Sequence, residues 1–182
     1  MDRRHLLAAA GSLASLGLSG CTGGGLGDDE SGGNSEDGPV EPEFDVFGLP
    51  PRTGRPSWYG DQAVGHLQRI DSASAARDRV ESPASVEGLD GWLSETQFDE
   101  AMVLHAASVG PDTCYGRLEV GDLIVENGVL IGDATATASG EDGCGEAETY
   151  AGAFLRVTSP VPASAEFRIT DGWGETERFQ AV

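Results

Sequence analysis

The chain contains few side chains suited to acid–base or nucleophilic chemistry. Beyond the first twenty residues it has two histidines, His66 and His105, which are far apart in sequence, and His105 sits inside an apolar run. Isolated histidines of this kind are more often structural than ligands or general bases, so we expect each to be satisfied or half-buried. Ser108 lies near His105, but the segment 106–110 lacks the first glycine of a nucleophile elbow. No catalytic residue can therefore be assigned from the sequence, and a non-enzymatic protein is favoured.

An acidic loop is the best candidate for a metal site. Its carboxylates belong to Glu141, Asp142, Glu146 and Glu148, and several carboxylates close together suit a hard cation such as calcium. Their spacing does not match the twelve-residue calcium loop, and acids occur throughout the chain, so we interpret the segment as a solvated loop. No cofactor is predicted, because the sequence lacks HExxH, a phosphate-binding glycine loop and a dinucleotide fingerprint.

The elements that would position these side chains are mostly strands. Asn127-Gly128 is the strongest hairpin signal in the sequence and predicts strands at Arg117–Glu126 and Val129–Thr137. The alternation of apolar residues changes phase within the first of these strands, which predicts a bulge near Gly121-Asp122. Further strands are predicted at 63–70, 101–107, 154–158 and 167–170, short helices at 72–80 and 86–93, and a tight turn with a tucked Trp173 at 171–174.

This pattern predicts a mainly β fold, a small antiparallel β-sandwich or barrel with one or two short helices. The segment 46–60, rich in Pro and Gly, is expected to be an irregular entry to the domain. Its Trp58 and Tyr59 would either form a platform for a ligand or, as is more common, close over the core.

The first twenty-one residues carry a targeting signal. Arg3 and Arg4 precede an apolar run, Leu6–Leu18, which as a helix would span only about 20 Å and so suits an export signal better than a membrane span. The paired arginines indicate the twin-arginine route. The segment 18–21, Leu-Ser-Gly-Cys, resembles the lipobox of exported lipoproteins. That resemblance implies cleavage before Cys21 and attachment of lipid to its sulfur.

The composition is strongly acidic. The chain has 31 acids and 11 basic residues, all of them arginine, for a net charge of −20. At molar salt the Debye length falls to about 3 Å, so the repulsion within such a surface is largely screened. A lysine-free, acidic composition resembles that of proteins from extreme halophiles, haloarchaea in particular. It also argues against binding to nucleic acid, which requires clustered Lys or Arg.

These observations divide the chain into three segments. Residues 1–20 are predicted to be a twin-arginine lipoprotein signal peptide, 21–45 a lipid-anchored disordered Gly/acidic linker, and 46–182 a single β-rich domain. In an exported chain the two remaining cysteines, Cys114 and Cys144, are expected to form a disulfide rather than a zinc site.

These features predict a protein held at the extracellular face of the membrane through lipidated Cys21. Its β domain would be a non-catalytic binding or structural module with a possible surface protein partner. Two alternatives remain. A solute- or ion-binding lipoprotein serving a transporter would normally need two lobes around a cleft. A small extracellular hydrolase would need a pocket in which His66 or His105 meets two or more carboxylates.

Overall fold

The computed structural model describes residues 38–60, 63–140 and 143–182. The elements are β1 Glu43–Arg52, β2 Gly65–Arg69, α1 Ala73–Arg77, a 3₁₀ turn at Pro83–Ser85, α2 Leu89–Ser94, β3 Met102–Gly110, β4 Arg117–Val120, β5 Ile124–Glu126, β6 Val129–Thr137, β7 Thr149–Ser159, β8 Ser164–Thr170 and β9 Thr176–Ala181. None of the helices in these ranges is long and apolar enough to cross a membrane.

The strands form two sheets that pack face to face. The first sheet has the order β1-β7-β3-β2, and the second has the order β4-β6-β8-β9 with β5 also paired to β6. Their facing side chains build one core, in which Leu104, Leu130 and Phe167 are fully buried. The predicted mainly β fold is confirmed as an open sandwich, not a barrel. One pairing differs from a purely antiparallel plan, because β6 and β8 run parallel after β7 crosses to the other sheet.

The hairpin prediction is confirmed at its turn and in its register. Asn127 and Gly128 have φ of 52° and 77°, the left-handed values that an Asn-Gly hairpin turn requires. Val120 pairs with Ala134 and Ile124 pairs with Ile131. Four steps along one strand therefore oppose three along the other, which places the predicted bulge between β4 and β5.

The first strand was missed by sequence analysis. Segment 46–60 was expected to be irregular, whereas β1 runs from Glu43 to Arg52 and includes Pro50 and Pro51. β1 lies at the edge of the first sheet, where proline is tolerated because one side of the strand needs no donor. Val40 already pairs with Val125 through two backbone hydrogen bonds. Ordered structure thus begins before residue 46.

Two other local predictions need correction. Trp173 was expected to be tucked in, but its side chain is 52% exposed, although the turn itself forms with Gly174 N–H donating to the Asp171 carbonyl. The strand β9 after this turn was not predicted, because its burial pattern is almost wholly exposed and so offers little apolar alternation.

The first sheet is covered on both faces. All nine residues of β3 are buried, because the second sheet covers one face and the segment with α1 and α2 covers part of the other. Trp92 of α2 donates its indole N–H to Asp45, which also accepts a hydrogen bond of 2.7 Å from Arg156. These contacts fix α2 to the sheet and leave the neighbouring part of the outer face open.

A disulfide joins Cys114 and Cys144, whose Cα atoms are 5.3 Å apart. The bridge closes a loop that contains β4, β5 and β6. The predicted pairing of these two cysteines therefore agrees with the structure.

Candidate functional site

A pocket of about 200 Å³ lies on the outer face of the first sheet. Its floor comes from β3 and β7, and its walls come from the end of β1, the loop around Trp58 and the segment 79–86 after α1. We call it the sheet-face pocket. It lies beside α2 and exists because the helical segment covers only part of the sheet.

The hollow in the sheet surface results from small residues at two paired positions. Ala107 of β3 is directly opposite Gly152 of β7, and both line the pocket. Larger side chains flank this pair, with His105 on one side and Tyr150 on the other. A Cβ on Gly152 would lie 3.4 Å from Nε2 of His105, so the missing side chain contributes directly to the free space.

His105 is the least expected group in this pocket. Its side chain is 4% exposed, and Nδ1 is buried with no hydrogen-bond partner among the described residues. Burial, helped by the nearby positive charges of Arg79 and Arg52 and by His66, lowers the pKa of His105 to about 3. The imidazole is therefore neutral at physiological pH. The expectation that His105 would be satisfied is wrong for Nδ1, and such a group usually indicates a missing partner.

His66 and His105 are far apart in sequence but adjacent in the fold. They lie on neighbouring strands with ring centroids 5.7 Å apart. The His66 ring stacks on the Trp58 ring with centroids 5.6 Å apart. Its Nε2 is 3.4 Å from the amide oxygen of Gln68. Burial lowers the pKa of His66 as well. Trp58 lines the pocket and also packs edge-on against Tyr150, with ring centroids 5.9 Å apart.

Arg79 and Arg52 bring positive charge to the pocket wall. Nε of Arg52 is 3.6 Å from Oε2 of Glu81, whose side chain is 63% exposed. Arg79 makes no ion pair with any described residue, and its Nε is buried without a hydrogen-bond partner. Arg79 and His105 supply the two buried side-chain atoms without partners in the described ranges, and both residues line this pocket.

The described part of the acidic loop contains no cluster of metal-ligating side chains. Glu141 and Asp142 lie outside the described residues. Glu146 and Glu148 are exposed, and neither belongs to a group of three ligand-bearing side chains among the residues described. Asp112 lies close to the sulfurs of both disulfide cysteines. Because those sulfurs are joined to each other, they are not thiolate ligands.

The remaining candidate residues have structural roles or fall outside the described part. Ser108 is fully buried, and its hydroxyl donates to the carbonyl of Val64 at 2.8 Å. It points to the sandwich core, on the face of β3 opposite to His105, so the two side chains cannot act together as nucleophile and base. Arg3, Arg4 and Cys21 lie outside the described residues.

Two other hollows lie on the surface of the described residues. One lies near Arg156 and Asp45, which already bond to each other. The other lies between Tyr59 and Trp173, beside Asp171. One carboxylate oxygen of Asp171 accepts from the backbone N–H groups of Trp173 and Glu175. In the described chain neither hollow contains a buried polar atom without a partner.

Comparisons of the chain with protein-family models, with curated proteins and with solved structures found no match. The function must therefore be argued from the site itself.

Proposed function

We propose that the chain is an exported, lipid-anchored surface protein of a halophile whose β domain binds a small molecule in the sheet-face pocket. The observation that carries the binding role is that one hollow is lined by both His105 and Arg79, the two described residues that have a buried side-chain atom without a partner. A buried polar group without a partner costs about 1–3 kcal/mol. A bound ligand that contacts these two side chains offsets part of this cost once they reorient toward it.

A non-catalytic role fits the lining of the pocket. The hydrolase alternative requires a histidine together with two or more carboxylates, and Glu81 is the one carboxylate among the described lining residues. Its partner is Arg52, which leaves it poorly suited as a general base. The transporter alternative shares the binding role but normally requires two lobes around a cleft, whereas the two sheets of the described residues pack into one sandwich.

The location at the outer membrane surface rests on the order Arg3-Arg4, apolar run, Cys21. We expect the protein purified from its native membrane to have a mass that begins at Cys21 and includes lipid. Cys114 and Cys144 should take up an alkylating reagent only after reduction. A chain that retains Met1 and carries no lipid would contradict the proposed anchor.

The binding role predicts that filling the pocket floor removes binding. Ala107→Leu adds three carbon atoms to the hollow and should weaken the binding of small molecules at least about tenfold. Because Ala107 is buried, the larger side chain should also cost about 1–3 kcal/mol of stability. The matched control is Ala163→Leu, at an exposed position outside the pocket, which should bind like the unaltered protein.

The measurement is a titration followed by NMR chemical shifts, with benzoate, benzamide and benzylammonium as probes of three charge classes. At least one class should saturate the unaltered protein. The binding role is contradicted if none binds, or if Ala107→Leu binds the probes as well as the control does.

A further inference from the structure

The positive charge of Arg79 indicates which charge the ligand carries. Eleven arginines less Arg3 and Arg4 leave nine in the described part of the chain. Six of these nine pair with a carboxylate in the structure: Arg52, Arg69, Arg77, Arg156, Arg168 and Arg178. Arg55 and Arg117 lack such a pair but are exposed, so water solvates them.

Arg79 differs from the other arginines because it is half-buried, forms no ion pair with a described residue and lines a pocket. The chain has nearly three acids for each arginine, so a local carboxylate would be easy to provide. A guanidinium removed from water without a counter-ion is costly. The absence of an internal partner within the described ranges therefore favours an anion supplied from outside.

The rest of the pocket favours an organic anion over a simple inorganic one. Leu49, Pro56 and Val86 line its walls, and Ala107 lies in its floor. Phosphate or sulfate would leave this apolar surface uncovered, whereas an apolar body would bury it. The volume of about 200 Å³ corresponds to about seven water molecules at about 30 Å³ each. The ligand is therefore small, comparable to a single ring or a branched chain.

We propose that the sheet-face pocket binds a small organic carboxylate, with its apolar body on the Ala107–Gly152 floor, its carboxylate at the Arg79 guanidinium and a hydrogen bond from His105. This inference rests on the proposed function and specifies its ligand class. Arg79 is the residue that determines specificity, since an arginine fork matches the geometry of a carboxylate. Nε2 of His105, the ring nitrogen nearest to the Gly152 floor, donates to the same group when it carries the ring proton.

The test measures the binding of charged and neutral probes that share a phenyl ring to the full-length protein. Benzoate should bind at least about tenfold more tightly than benzamide and benzyl alcohol, because a charge-assisted hydrogen bond is lost in the neutral probes. Inorganic phosphate should bind more weakly than benzoate. Arg79→Gln should weaken benzoate binding about 10- to 100-fold and leave benzamide binding unchanged. Arg117→Gln removes the same charge from an exposed site and should change neither.

The outcomes separate this inference from the binding role. If benzamide binds as tightly as benzoate and Ala107→Leu blocks both, the pocket binds neutral ligands, so the binding role stands and the carboxylate inference is wrong. If phosphate binds as tightly as benzoate, the site is one for inorganic anions and the inference is again wrong. If no probe binds, both fail. The comparison of benzoate with benzamide needs no variant, so it decides the matter even if Arg79→Gln does not fold.

Discussion

Replacing His105 with leucine is expected to stabilise the domain by about 1–3 kcal/mol at pH 7 and to weaken benzoate binding in the sheet-face pocket, because one hydrogen bond to the carboxylate is lost. The gain arises because Nδ1 of His105 is buried without a partner, and removing such a group recovers its desolvation cost. Leucine has a similar volume and would contact the same rings of Phe154 and His66.

The stabilising effect should grow as the pH falls. The pKa of His105 is about 3 in the fold, against 6.5 as its ordinary value, so between these values the unfolded chain binds a proton that the folded chain does not. This difference lowers the stability of the unaltered protein by up to about 1.4 kcal/mol per pH unit below 6.5. His105→Leu lacks this proton, so its advantage at pH 5 should exceed its advantage at pH 7 by about 2 kcal/mol.

Denaturant unfolding of both proteins at pH 7 and pH 5 measures this effect. Gln180→Leu, at an exposed position of β9, provides the control and should change stability by less than about 0.5 kcal/mol at either pH. Equal or lower stability of His105→Leu, with the same pH dependence as the unaltered protein, would show that Nδ1 has a partner in solution. A stability gain accompanied by weaker binding is the behaviour expected of a functional residue.

Local signals in the sequence were enough to predict the hairpin and its bulge. Asn127-Gly128 determines a turn through backbone sterics that involve only neighbouring residues. The bulge near Gly121 followed from a change of phase in the apolar alternation, which must be corrected if one face is to stay buried. Both features depend on interactions within about twenty residues of chain.

Strands without such signals were missed because tertiary pairing overrides local preference. β1 contains Pro50 and Pro51, which normally argue against a strand, but it pairs along most of its length with β7, more than a hundred residues later. β9 is largely exposed and relies on pairing with β8. Neither partner could be inferred from the segment itself.

The pocket could not be predicted from the sequence either, because it also depends on contacts between distant segments. His105 could be recognised as an unusual residue within an apolar run, but its neighbours Arg79 and Gly152 come from distant segments. Arg79 has no local signal at all, since an arginine after a short helix is ordinarily solvated. Only the register of β3 with β7, which places Ala107 opposite Gly152, creates the hollow that gives Arg79 and His105 a common environment.

Removing the disulfide with Cys114→Ser and Cys144→Ser together is expected to lower the free energy of unfolding by about 3–4 kcal/mol. The two cysteines are 30 residues apart, and opening a loop of that length restores about this much chain entropy to the unfolded state. The measurement is denaturant unfolding with and without reductant. Reductant should destabilise the unaltered protein by a similar amount and leave the double variant unchanged. Equal stability of the two proteins under oxidising conditions would contradict a structural bridge.

The same experiment separates the stability of the sandwich from the function of its pocket. The loop closed by the disulfide contains β4, β5 and β6 of the second sheet, whereas the pocket is built on the outer face of β3 and β7 in the first sheet. The part of the double variant that remains folded should therefore bind benzoate with unchanged affinity. A matching loss of affinity would mean that the second sheet controls the shape of the pocket through β3, which lies between the shared core and the pocket floor.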